Sequence, residues 1–372
     1  MNAKYYKPIK LLRRLAIVRR RPIQLYKLFA TGFWKSPSYY PEKARKSSLQ
    51  ILCELIGHII GYGNIEWHYF TYGFDVKNFR DQSTYMDDGD FMWQTNTLNM
   101  VQADWDYTCM LRDKDLFSEL LTMWGYNTPR TIMVLGSEGD ISIFVSKYSH
   151  RGGYFVKPIS GECGKGTLKV IFADGRCTIN NEKCATESVK ERLIREITGT
   201  PYVVQNIVDQ LPEVNAIYPH ALNTLRITTY YDKSAKRAYP FLAFYRCGAN
   251  GGIADNWALG GILIGVDIQT GKLGKYGFFK HGVGTKTEKH PNTGFVFDNF
   301  QLPQYEECLQ KALELHEHFR GIPIIGWDIA LTKDGPMFIE GNDNVEMGPL
   351  QLSADRGLLK EYNEIKKKCL GY

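Results

Sequence analysis

Asp328, Glu340 and Asn342 fall on two apolar segments, 326–330 and 336–342, separated by a Lys333-Asp334-Gly335 turn. Asp-Gly favours a tight hairpin, and pairing the two segments would bring the three side chains to one end of it. Glu340 and Asn342 are two apart and therefore share a face. Three hard oxygen donors on a rigid face suit Mg²⁺, which combines carboxylates with waters and substrate phosphates. Ile329, Ala330, Met337, Phe338 and Ile339 make both strands apolar, and unpaired carboxylates buried among them would be costly. The plainer alternative is an acidic hairpin turned toward solvent.

A second cluster begins at Val156-Lys157-Pro158 and continues through Ser160-Gly161-Glu162-Cys163-Gly164-Lys165-Gly166. A lysine at a strand end can meet a phosphate as a point charge. Glycines just beyond it let backbone N–H groups close over phosphates, because glycine tolerates φ > 0 and close approach. Lys165 is followed by Gly166 rather than Ser or Thr, so this is not a P-loop. A hairpin turn that merely needs glycine is the alternative.

The surrounding periodicity supplies the elements that must hold these groups. A helix is expected over 44–60, another over 113–124 with Gly125 as its stop, and further helices over 187–197, 305–319 and 353–368. Strands are expected at 131–135, 154–157, 168–172, 202–208, 224–231, 241–246 and 262–267, besides the two of the hairpin. Residues 62–107 are rich in Tyr, Trp, Asn and Asp and show no clear period. Mixed helices and antiparallel hairpins point to an α+β fold rather than a doubly wound sheet.

Charge is unevenly distributed. Of 46 Lys and Arg and 40 Asp and Glu, residues 1–46 hold thirteen basic residues and one acidic, Glu42, which leaves the remainder net acidic. A nucleic-acid binder is disfavoured, since that body carries no basic aromatic stripe. The basic arm interleaves Leu11, Leu12, Leu15, Val18, Leu25, Leu28 and Phe29 with arginines. Such a segment suits an anionic membrane surface, or simply a solvated helix packed on the body. No apolar run reaches the length of a membrane span, and the N-terminus has no clean signal-peptide core. Eight scattered cysteines without a C-x-x-C pair read as reduced thiols of a cytoplasmic protein.

In this order the pieces resemble the ATP-grasp superfamily, and most closely its sugar-transfer-associated branch, linked to cell-surface polysaccharide (capsule) synthesis. The likeness runs from Asp113 to the C-terminus. It is carried by Asp113-Lys114, Asn127-Thr128-Pro129, Val156-Lys157-Pro158 with the glycine loop, Leu222-Asn223-Thr224-Leu225-Arg226-Ile227, Gly326-Trp327-Asp328 and Ile339-Glu340-Gly341-Asn342. The resemblance implies two α+β lobes gripping ATP, preceded by a mainly helical basic region. The divisions expected are an arm over 1–46, a pre-grasp lobe over 47–150, a central ATP-binding lobe over 151–208 and a C-terminal lobe with the Mg site over 209–372. It also implies that Lys114 and Lys157 contact phosphates, and that Ser160, Gly161, Gly164, Lys165 and Gly166 cover them. Gln205, Asn206 and Val208 would take adenine, Glu213 the ribose, and Asp328, Glu340 and Asn342 one or two Mg²⁺ ions.

Two departures accompany the likeness. Gln205-Asn206 stands where many members use acidic residues. Gly326-Trp327 stands where an arginine usually precedes the metal aspartate, so Arg226 or Lys280 would supply that catalytic charge. The stretch Asp255-Asn256-Trp257-Ala258-Leu259-Gly260-Gly261 would face the acceptor or form a glycine turn. The activity implied is carbon–nitrogen ligation: a carboxylate acceptor, phosphorylated by ATP, is attacked by an amine donor. A kinase acting on a sugar hydroxyl and a non-catalytic scaffold in glycan assembly are the alternatives. The basic arm would place the enzyme at the inner face of the membrane.

Overall fold

Helix and strand boundaries follow local chemistry in a computed structural model that describes residues 3–87, 98–99, 105–150, 152–160, 166–173, 176–197 and 199–371. Helix α1 (Ala3–Thr31) carries the basic arm, and α2 (Ser48–Tyr62) follows after an irregular connection. The helix expected from residue 44 starts at 48 because Ser47 caps it reciprocally with Gln50, and Gly63 stops it at φ 79°. Residues 63–87 are mostly turns organised by burial of Ile65, Tyr69, Phe70, Tyr72 and Phe74. Aromatic packing without period fixes this region, which explains its lack of a helix or strand signature.

Helix α3 (Trp105–Arg112) leads into α4 (Lys114–Met123), whose first turn is capped by the Asp113 carboxylate accepting from Asp115 and Leu116 N–H. A six-stranded antiparallel sheet then forms in the order β1-β6-β2-β3-β4-β5. Its strands are β1 (Thr131–Leu135), β2 (Gly152–Pro158), β3 (Leu168–Ala173), β4 (Arg176–Ile179), β5 (Glu182–Ala185) and β6 (Tyr202–Asn206). Helices α5 (Glu138–Tyr148) and α6 (Thr186–Glu196) complete this lobe over a core that includes Phe144, Val156, Phe172 and Leu193. The β4–β5 hairpin had a sequence signal: Asn180 and Asn181 both take positive φ, as a tight primed turn requires. Strand β1 joins this sheet from within the segment assigned to the pre-grasp lobe.

The chain crosses to a second sheet just after β6. Ile207 N–H still bonds to Gly153, whereas Leu211 N–H bonds to Leu331 of the large sheet. After the short helix α7 (Pro212–Asn215), the strands are β7 (Thr224–Asp232), β8 (Arg237–Cys247), β9 (Ile262–Val266), β10 (Leu273–Phe278) and β11 (Lys286–Thr287). They combine with β12 (Ile324–Thr332) and β13 (Gly335–Asn342) in the antiparallel order β11-β10-β9-β8-β7-β12-β13. Helix α8 (Tyr305–His318) and helices α3 and α4 cover one face around Trp327, Tyr245 and Phe319. The other face packs against the N-terminal region, α9 (Met347–Ala354) and α10 (Leu359–Leu370).

The helix expected over 353–368 is instead two helices. Asp355 turns left-handed at φ 52°, its carboxylate paired with Arg80, and a Cβ on Gly357 would sit 2.3 Å from the Thr84 carbonyl oxygen. The break lets the N-terminal region dock, a long-range demand that helical spacing cannot reveal. The seven described cysteines are free thiols. Among the described residues no helix is long and apolar enough to cross a membrane.

Candidate functional site

Strand register places the charged groups in a row. Asp328 on β12 is opposite Glu340 on β13 and opposite Arg226 on β7, which in turn faces Phe244 on β8. Two residues away along the strands, on opposite sides of this row, Thr224 pairs with Arg246 and Gly326 with Asn342. Central-strand burial would normally exclude such groups, and β12 is buried at every residue. They are tolerated because each meets a partner.

Asp328 receives the Arg226 guanidinium through two hydrogen bonds, the one from Nη2 at 2.7 Å, and Arg246 Nη2 at 2.8 Å. Arg246 also reaches Thr224 Oγ1 at 2.9 Å, and the Thr224 hydroxyl donates to the Asp255 carboxylate. Burial works against ionising Asp328, but Arg226 and Arg246 outweigh it and hold the carboxyl far below the usual carboxylate range. Glu340 moves the other way: burial and the facing Asp328 charge raise its pKa, despite Lys114 and Lys157. Asp328 is thus the fixed charge and Glu340 the adjustable one.

The missing arginine before Asp328 has a structural counterpart. A Cβ on Gly326 would lie 3.0 Å from Arg226 Nη1 and 3.1 Å from its Cδ. The bare glycine makes room for an arginine arriving from the neighbouring strand. Arg226 therefore stands at Asp328 from β7, as one of the two expected suppliers of that charge.

Across the cleft, Lys157 at the end of β2 is about nine-tenths buried. Among the described residues its ammonium has no hydrogen-bond or ion-pair partner. Burial pushes its pKa down to about 8, assisted by the nearby Lys114 charge and opposed by Glu340 and Asp328. Lys114 is tied to the same strand end by its backbone N–H bond to Ile159. A buried ammonium that no carboxylate among the described residues pairs with directly, although Glu340 and Asp328 act on it across the cavity, marks a site for a more strongly anionic ligand.

Both walls line one cavity of about 770 Å³. It brings together Lys157, Gln205, Asn206, Val208, Arg226, Lys280, Asp328, Glu340 and Asn342 of the expected residues. Gln205 uses its amide to hold the Pro129 carbonyl at 2.8 Å. Ser160 and Gly166 border the glycine loop outside the lining, while Gly161, Gly164 and Lys165 lie outside the described residues. Glu213 is exposed on α7 and is not brought to the cavity, because Pro212 starts a turn of helix that buries Val214 instead. The 255–261 stretch is a glycine turn, and it also lines the cavity. Gly260 turns at φ 100° and a Cβ on Gly261 would strike the Asp255 carbonyl, while Asp255 through Leu259 line the cavity.

Arg246 carries no motif of its own, although counting from the turn between β7 and β8 could have found it. Thr224 and Asp255 lie in stretches the sequence marks, but only the fold shows that they meet Arg246. Trp67, His68 and His281 also line the cavity and had no local signal.

The oxygen donors fit a divalent cation. Asp328 and Glu340 face each other across the β12–β13 pair, and the Asp328 charge raises the pKa of Glu340, a like-charge pairing that a proton or a cation relieves. The Asn342 amide sits beside them, 3.4 Å from a Glu340 oxygen. Oxygen-only donors with few protein ligands match Mg²⁺.

Similar solved structures include the VanG D-Ala:D-Ser ligase of Enterococcus faecalis, at 11% identity and TM-score 0.44, covering 72% of this chain and 63% of that one. A biotin carboxylase complex of Campylobacter jejuni has 8% identity and TM-score 0.46, with 73% and 49% covered. The D-cycloserine synthetase DcsG has 14% identity and TM-score 0.42, with 76% and 79% covered. No curated protein sequence matches the chain. The sugar-transfer associated ATP-grasp model matches residues 102–367, which include both walls of the cleft and every charged group of the Asp328 row. With the two antiparallel sheets and the lysine-against-carboxylate cleft between them, that match identifies the chain as a member of the sugar-transfer associated ATP-grasp family.

Proposed function

We propose that this protein is an ATP- and Mg²⁺-dependent carboxylate–amine ligase that modifies a cell-surface polysaccharide or its sugar precursor. The observation that carries this reading is the buried Lys157, without a hydrogen-bond or ion-pair partner among the described residues, facing the Glu340–Asp328–Arg226 row across one cavity. A triphosphate satisfies both walls: its oxygens meet Lys157, with Lys114 close by, and Asp328, Glu340 and Asn342 would hold Mg²⁺. The metal, when bound, would neutralise phosphate charge and polarise the transferred phosphoryl group.

An acceptor carboxylate oxygen attacks the γ-phosphorus, and the bond to ADP breaks. The amine nitrogen then attacks the acyl carbon, phosphate leaves, and the nitrogen loses a proton. Arg226 and Arg246 are fixed by Asp328, so their remaining N–H groups are preorganised for the oxyanion of the second step. No protein nucleophile is required. A uronic acid and an amino acid or amino sugar are natural partners.

The arm supports work beside an anionic membrane. Helix α1 exposes Leu15, Val18, Ile23 and Tyr26 near Arg19 and Arg20, an apolar and basic combination suited to lipid headgroups. Salt-sensitive pelleting with anionic vesicles is expected, and its absence removes this part.

Incubation with ATP, Mg²⁺, uronic acids and amines tests the reaction. ADP and free phosphate released in equal amounts, with an amide formed, is the expected outcome. Phosphate retained on a sugar hydroxyl would make the protein a kinase and contradict the ligase reading.

A further inference from the structure

The cavity also has an aromatic part that the Asp328 row does not use, to which the N-terminal region contributes Trp67 and His68. His68 stacks on Trp257 with ring centroids 5.7 Å apart and planes 12° from parallel. Trp257 is locked by its indole N–H donating to the Phe278 carbonyl at 2.9 Å. Trp67 packs edge-on against Phe33 at 4.9 Å and leaves 43% of its surface exposed. His281 also packs on Phe33, at 4.8 Å, and lies 3.2 Å from Ser36 Oγ. The Tyr39 hydroxyl reaches the carbonyls of Phe279 and Gly284 at 3.0 and 2.9 Å, which pins the 279–284 loop. Phe33, Ser36, Tyr39, Trp67 and His68 all precede the family segment at 102–367.

Flat apolar faces beside donors and cations suit a ring that is apolar on its faces and polar at its edge. Lys280, exposed on the rim, has no ion-pair partner among the described residues. Phe244 and Arg246 on β8 continue the lining from the aromatic end to the Asp328 row. A ring held against the aromatic faces can thus turn a carboxylate toward Arg226 and Arg246.

We propose that this end is the acceptor subsite, that the N-terminal region confers its selectivity, and that it takes a pyranose ring bearing a carboxylate. Trp67 supplies a stacking face, the His68–Trp257 pair closes the wall, and Lys280 favours an anionic ligand. The inference rests on the ligase reading for the purpose of the site but not for its existence.

The test uses the full chain and methyl β-D-glucuronide, read by saturation-transfer NMR, with ATP binding measured separately on the same preparations. The glucuronide ring protons should receive saturation, and its affinity should fall about tenfold in Trp67→Ala, in line with loss of one aromatic contact. Because Trp67 is half-exposed, that variant should bind ATP within about twofold of wild type. Lys280→Gln should weaken glucuronide binding several-fold while leaving that of methyl β-D-glucoside unchanged, and equal loss for both would overturn its role. ATP binding without any glucuronide binding overturns the subsite and leaves the ligase reading standing. Equal glucuronide binding by Trp67→Ala overturns it too, as does tighter binding of phenylethylamine than of glucuronide. Trp67-dependent glucuronide binding in a chain that does not bind ATP upholds the subsite and overturns the ligase reading.

Discussion

The two walls of the cleft solve the burial of charge in opposite ways. On the large-sheet side, Asp328 and Asp255 balance Arg226 and Arg246 through direct contacts, those of Asp328 fixed by strand register. On the small sheet, Lys157 is buried and makes no comparable bond among the described residues. The arginines of the first wall are balanced within it, leaving Glu340 for a cation, whereas Lys157 on the second wall is balanced by an anion between them. The difference assigns rigidity and charge preorganisation to the large sheet, and the reception of ligand charge to the small one.

Substitutions on the two walls should therefore differ in kind. Asp328→Ala leaves the buried Arg226 guanidinium without its carboxylate and takes one of two from Arg246, which should destabilise the fold by roughly 3–5 kcal/mol in urea unfolding. Unchanged stability there would mean that the row is not a closed network. Gly326→Ala forces a methyl against Arg226 and should lower stability by about 1–3 kcal/mol. It should also reduce turnover more than ATP affinity, because the displaced arginine serves the reaction rather than the nucleotide. Lys157→Met should leave stability level or raise it, since an unpaired buried charge disappears. The same change should weaken ATP binding by about tenfold or more through the lost charge-assisted contact. A destabilised Lys157→Met would show that the ammonium has a structural partner.

The smallest effect concerns pH. With its pKa pushed down to about 8, Lys157 loses its proton above that pH in the free protein, whereas bound phosphates favour the charged form. ATP binding should take up protons at pH 8–9 and weaken by up to about tenfold per pH unit over that range. Calorimetry in buffers of different ionisation enthalpy reads the proton uptake, and Lys157→Arg should remove it.

The two ends of the cavity were not equally legible in the sequence. Asp328, Glu340 and Asn342 lie on one hairpin, and Lys157 adjoins a glycine loop, so each motif is local and survives as spacing. Arg226 was visible as a strand residue, but its place at Asp328 depends on Gly326 yielding room, which only register discloses. Glu213 was misplaced because a match by spacing ignores the direction in which a short helix turns its side chains. The aromatic end joins Trp67 and His68 to Trp257 and His281, residues far apart in the chain and held by burial rather than period. The break at Asp355 has the same origin, since its partner Arg80 lies in the N-terminal region.

The most direct test of the account is titration calorimetry of ATP with and without Mg²⁺, on wild type and Glu340→Ala. The account predicts binding to the wild type that depends on Mg²⁺, and loss of most of that dependence in the variant. Mg²⁺-dependent binding that is equally tight in Glu340→Ala, or no ATP binding by the wild type in either condition, would contradict it.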